Sequence, residues 1–115
     1  MLVIRQEQME ALRKARLEQF EARMVAHLKQ LMPEQCAALG DEAMRHDIRH
    51  GMARAAEYDI TEERDAARYL ELALLLGRDF DSGPSTPWAR PILLDRSSSA
   101  ENRLRRLRSM ARRQT

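Results

Sequence analysis

The chain has 115 residues, enough for one domain and too few for two independent cores. Hydrophobic residues make up 43% and charged residues 33%, with only 4 Gly and 4 Pro, a balance that excludes collagen-like, low-complexity and wholly disordered chains. The net charge of +2 hides a segregation: residues 99–115 carry six Arg and one Glu, whereas the residues before them carry 14 basic and 17 acidic groups.

Two Phe, two Tyr and one Trp leave the core to Leu, Met, Ala and Ile, so an all-α fold is expected. From about Arg5 to Leu31 there is no Gly or Pro, and Leu17, Phe20, Met24, Leu28 and Leu31 recur at the spacing of one helical face. This predicts a long first helix with a more solvated beginning, where Met9, Leu12 and Ala15 form a weaker stripe. Pro33 stops that helix and opens a short second one, ended by Gly40. Asp41 is the expected N-cap of a third helix to Tyr58 or Asp59, with Met44, Ile48, Met52 and Ala55 inward and Gly51 marking a close helix approach. Thr61, ahead of Glu62 and Glu63, is the expected cap of a fourth helix that is apolar almost all round from Tyr69 to Leu76 and ends at Gly77. Three prolines between residues 82 and 91, with Trp88 and then Ile92, Leu93 and Leu94, predict an extended strap pinned by the indole. Ser98 and Glu101 read as a capping box for a last helix, with Leu104, Leu107 and Ala111 as a narrow docking stripe among arginines. The expected architecture is a compact bundle of four to five helices, residues 1–95 forming the helical domain and 96–115 an Arg-rich helix or tail.

The motifs that could carry chemistry are weak. His46-Asp47-Ile48-Arg49-His50 has two imidazoles four apart, as in zinc-binding helices. At about 100° per residue, however, His46 and His50 lie roughly 200° from Met44 and Ile48, on the solvated face. Asp79-Phe80-Asp81-Ser82-Gly83 begins like a calcium loop, but Pro84 and Arg90 stand where that loop needs Gly and Glu. A helix-ending turn is expected instead, its carboxylates on local amides and Phe80 buried. Cys36 is the sole thiol, which excludes an intramolecular disulfide, and no base accompanies it. The chain reads as non-enzymatic and without cofactor or metal. Met1 to Ile4, followed by Arg5, Gln6 and Glu7, offers no signal-peptide core, and the longest apolar run, Leu72 to Leu76, is too short to span a bilayer. A cytoplasmic chain that does not contact membranes is the expectation.

Several words along the chain occur together in one known family. They are Val3-Ile4-Arg5-Gln6-Glu7-Gln8-Met9, Gln19-Phe20-Glu21-Ala22-Arg23-Met24-Val25-Ala26-His27-Leu28, Glu63-Arg64-Asp65, and Gly77-Arg78-Asp79-Phe80-Asp81 followed by Pro87-Trp88-Ala89. Over roughly residues 3 to 95 the chain resembles a family of small bacterial proteins typically encoded beside type VI secretion spike-tip proteins, effector adaptors and toxins. The resemblance implies a cytoplasmic chaperone or co-adaptor that helps load an effector onto its spike-tip protein. The Arg-rich tail departs from the family pattern. Candidate partner contacts are Phe20, Met24, Leu28, Phe80 and Trp88, with Arg103, Arg105, Arg106 and Arg108 of the tail. Two other readings stay open: an immunity protein for an adjacent toxin, and a nucleic-acid-binding regulator using the arginines. The acidic body and the lack of interleaved rings in the tail disfavour the latter. Self-association stays open.

Overall fold

The computed structural model describes residues 5–114, which form six helices and no strand. Met1 to Ile4, which bear on the export expectation and the start of the resemblance, lie outside the described residues, as does Thr115. The fold is all-α, with α1 Gln6–Leu31, α2 Pro33–Leu39, α3 Asp41–Glu57, α4 Glu63–Leu76, α5 Ala89–Leu93 and α6 Ala100–Arg113. Its contacts divide it into two units, one ending at Arg45 and one beginning at His46.

In the first unit, α1 covers about 39 Å at 1.5 Å per residue for its 26 residues. Its apolar stripe is buried only in the second half, at Phe20, Met24, Val25 and Leu28, whereas Leu17 and Leu31 at the ends of the expected stripe are exposed. The Arg23 guanidinium lies 5.8 Å from the centre of the Phe20 ring and covers part of it. The helix closes with the Met32 amide on the Leu28 carbonyl, and Pro33 takes the first position of α2, where a missing N–H costs nothing. Gly40, at a φ of 87°, ends α2 in a conformation that side chains resist. Asp41 does not cap α3 from outside: it is the first helical residue, and it pairs with Lys29 of α1 at 2.8 Å.

The second unit gathers its core from the end of α3, α4, the 77–88 segment, α5 and α6. Ala55, Tyr58, Ile60, Tyr69, Leu72, Phe80, Leu93, Leu104 and Leu107 form one buried cluster. α3 ends in a left-handed residue, Asp59 at a φ of 59°, and the Ile60 amide reaches back to the Ala55 carbonyl. This closes the helix and seats Ile60 against the core. Gly51 is where α3 meets α4: a Cβ there would lie 2.4 Å from Leu70 Cδ2, so the expected close approach is present.

Three local details differ from the expectations. Glu62, not Thr61, sits at the N-cap of α4, and no side chain caps it; the charges of Glu63 and Asp65 in the first turn face the positive helix end instead. The Pro-rich stretch is a succession of turns and not an extended strap. Thr86 Oγ1 donates to the Phe80 carbonyl at 2.6 Å, and the Ala89 amide donates to Thr86. These turns lead into the additional helix α5, which tolerates Pro91 because the lost N–H falls in its unbonded first turn. Finally, Ser99 and not Ser98 caps α6, accepting from the Asn102 amide at 3.1 Å. Ser98 is drawn away by Asp95, which accepts from the amide and hydroxyl of Ser97 and from the Ser98 hydroxyl, and Glu101 faces Arg64 and Arg105. Ser99→Ala is therefore expected to lower stability by about 1 kcal/mol, and Ser98→Ala by less than half of that. Chemical denaturation of the two variants checks the assignment.

Candidate functional site

The residues singled out for metal chemistry stay apart. His46 is exposed, while half-buried His50 places Nε2 2.8 Å from Asp79 Oδ1. Among the described residues, no three or more His, Cys, Asp and Glu side chains converge on a point that could hold a metal ion. Cys36 is buried, and desolvation pushes its thiol up, opposed only by Lys29. A thiol so placed is held in its unreactive form.

The turn after α4 has an unexpected role. Asp81 was expected to bond local amides; instead its carboxylate is fully buried and receives Arg54 through Nε at 2.8 Å and through Nη2, together with the Tyr58 hydroxyl at 2.8 Å. Arg54 also pairs with Glu57 at 3.2 Å. Asp79 bonds His50, and Arg78 faces Asp47 at 3.6 Å. Four consecutive residues, Arg78 to Asp81, thus anchor the turn to α3 and the core, with the Phe80 ring in tilted contact with Tyr69 at 5.1 Å between ring centres. The buried Oδ1 of Asp81, the Tyr69 hydroxyl and Trp88 Nε1 find no hydrogen-bond partner.

The titration behaviour of this network has one direction. Burial pushes the Tyr69 hydroxyl far up, and burial with the bond to Asp81 pushes Tyr58 up. The hydrogen bond from Arg54 to Asp81 raises the guanidinium further. At the surface, Ser97 and Arg106 hold the Asp95 carboxyl down at about 2, and Lys29 holds Asp41 down. Each of these groups is moved away from neutrality.

The expected partner contacts fall into two sets. Phe20, Met24, Leu28 and Phe80 are buried, and Trp88 is half-buried against the core. Arg103 is buried as well: its Nη1 donates to the carbonyls of Tyr58 at 2.9 Å and Leu93 at 2.7 Å, where α3 and α5 end. A guanidinium on two helix C-termini meets their partial negative charge and joins three helices. Arg105, Arg106 and Arg108 are exposed on α6. Arg106 pairs with Asp95 at 2.8 Å, and Arg105 faces Glu101 at 3.5 Å.

One surface carries more apolar area than the sequence reading assigned to it. Every residue from Arg5 to Gln19 is exposed, including Met9 at 50%, Leu12 at 59% and Leu17 at 48%. These three side chains lie within an arc of roughly 140°, and Phe20 and Met24 fall in the same arc. The inward stripe of α1 therefore continues for half the helix beyond the point where the protein covers it. The signal was legible in Met9 and Leu12, whereas Leu17 was assigned to the covered part of the stripe. No family model, curated protein or solved structure matches the chain.

Proposed function

We propose that this chain is a non-enzymatic accessory protein that binds another protein, acting as a chaperone or co-adaptor that helps load a type VI secretion effector onto its spike-tip protein. The observation that carries the binding part is the uncovered first half of α1. Single exposed apolar residues are ordinary on protein surfaces, but a row in register with a helix's own buried stripe is the pattern of a helix that lies in a partner's groove. An isolated helix of that length is marginal in water, so a partner that covers Met9, Leu12 and Leu17 supplies the packing that α1 lacks there. The secretion context rests on the resemblance in Gln19 to Leu28, Glu63 to Asp65, Gly77 to Asp81 and Pro87 to Ala89.

The test is binding of the purified chain to the spike-tip, adaptor and toxin proteins encoded beside it. Capture of one of them is expected, and replacing Met9, Leu12 and Leu17 together by Ser is expected to weaken it at least 30-fold, about 2 kcal/mol, the scale of interface hot spots. Stability should change by no more than about 0.5 kcal/mol per substitution, since all three side chains are exposed. Binding to none of these proteins overturns the proposal. Protection of a cell that coexpresses the toxin, without any effect on its export, establishes the immunity role in its place.

A further inference from the structure

The basic helix α6 presents a charged face separate from the uncovered row on α1 that carries the adaptor reading. Leu104, Leu107 and Ala111, the stripe expected to dock on the chain's own body or on a partner, are buried in its own core, where α6 packs against α4 and α5. What α6 turns outward is Asn102, Arg105, Arg106, Arg108, Ser109, Arg112 and Arg113, all exposed. Arg105, Arg108 and Arg112 lie within an arc of about 60° along about 10 Å of helix axis, with Arg106 and Arg113 beside them. We propose that this face binds the phosphate backbone of duplex nucleic acid, independently of sequence.

Three features select that ligand among polyanions. A protein interface builds its energy on apolar or aromatic anchors, and the outward face of α6 has none; its apolar residues are spent on the core. An interfacial membrane helix likewise needs an outward apolar side. Single strands are held by stacking on rings; Phe20, Tyr58, Tyr69 and Phe80 are buried, and Trp88 is half-buried against the core, in the turns before α5 and not on α6. A duplex asks only for cations spaced along a line. One of its strands presents a phosphate about every 3.4 Å of axis, so a row about 10 Å long spans about three of them. Arginine can fork onto each phosphate with two parallel hydrogen bonds. The pairing of Arg105 with Glu101 and of Arg106 with Asp95 is at the surface, where such pairs are weak and exchange readily for phosphate. Residues before 99 carry 14 basic and 17 acidic groups, so the positive excess of the chain lies in this helix.

The experiment is fluorescence anisotropy of a labelled random-sequence duplex of about 20 base pairs with the full chain, between 50 and 200 mM KCl. Five arginine contacts predict a slope of log K against log salt near −4.5, a weakening of about 500-fold across that range. R105Q/R108Q/R112Q is expected to leave a slope of about −1.8, R105K/R108K/R112K to keep the wild-type slope, and R108Q alone to lower it by about 0.9. Circular dichroism and melting confirm that each variant is folded; if the triple glutamine variant is not, the single variant and the lysine variant decide. No binding at 50 mM KCl overturns the proposal, as does a wild-type slope in the glutamine variants. Stronger retention on vesicles of equal phosphatidylglycerol and phosphatidylcholine, or displacement of the duplex by an equal charge of polyglutamate, also overturns it, in favour of a lipid surface or an acidic protein.

Discussion

Asp81→Ala is expected to destabilise the protein by about 3 kcal/mol. Breaking a buried ion pair costs about 3–5 kcal/mol because the remaining partner keeps its desolvation without its counter-charge. The lower end applies here, since the Arg54 side chain is 27% exposed and keeps Glu57 at 3.2 Å. Tyr58 also loses the acceptor of its buried hydroxyl. Arg54→Ala should be costlier, about 4 kcal/mol, because Asp81 is fully buried and then keeps the Tyr58 hydroxyl but no counter-charge. Combining Arg54→Ala with Asp81→Ala should cost less than the two single losses together, by about 1–3 kcal/mol of coupling. Denaturant unfolding of the four proteins reads the cycle. Additive losses, or an Asp81→Ala variant as stable as the parent, would show that the pair does not hold the turn on α3.

The same pair shows where the sequence stops being legible. Helices α1 to α4 could be read almost to the residue, because hydrophobic spacing and the stops at Pro33, Gly40 and Gly77 are local signals that packing does not overrule. The partner of Asp81 is not local. Arg54 lies 27 residues upstream, and nothing in the spacing of the Asp79-Phe80-Asp81 run says which of the chain's arginines will reach it. Likewise Ser98 and Ser99 are equivalent as letters, and the choice between them is made by Asp95, whose turn takes the hydroxyl of Ser98. The short helix α5 is hidden by a rule applied too broadly: proline ends a helix from its interior but is admitted to its first turn.

Candidate binding residues were harder to read for a related reason. Apolar side chains that a partner could grip and apolar side chains that a core needs are the same residue types at the same spacing. Burial separates them, and it moved Phe20, Met24, Leu28 and Phe80 to the interior while leaving Met9, Leu12 and Leu17 outside. For arginine the ambiguity is between charge and reach. Arg103 and Arg105 are two positions apart, which on a helix is just over a half-turn, so one enters the core to meet carbonyls of Tyr58 and Leu93 and the other faces solvent. The two proposed surfaces consist of what remains after the core has been assembled: an apolar row on α1 and a charged row on α6.

Phe80→Ala is expected to cost about 4 kcal/mol, as much as Arg54→Ala. The ring is 2% exposed and packs within the core cluster, in tilted contact with Tyr69. Truncating a buried Phe to Ala removes its transfer energy and leaves a cavity, together about 3–5 kcal/mol, with the aromatic pair adding about 0.5–1.5 kcal/mol of its own. Collapse of the site is limited from both sides. The preceding residues are tied to α3 by His50 with Asp79 and by Arg78 with Asp47, and the following one by Arg54 with Asp81. The Phe80 carbonyl itself is held by Thr86 Oγ1. Phe80→Leu keeps most of the volume and should cost only about 1–2 kcal/mol. This places the residue as a structural pin and separates it from the proposed binding row on α1. A folded Phe80→Leu protein should bind the partner proposed for the α1 row as well as the parent does, while its urea midpoint falls. Unchanged stability with lost capture would put the ring at the interface, contrary to its burial.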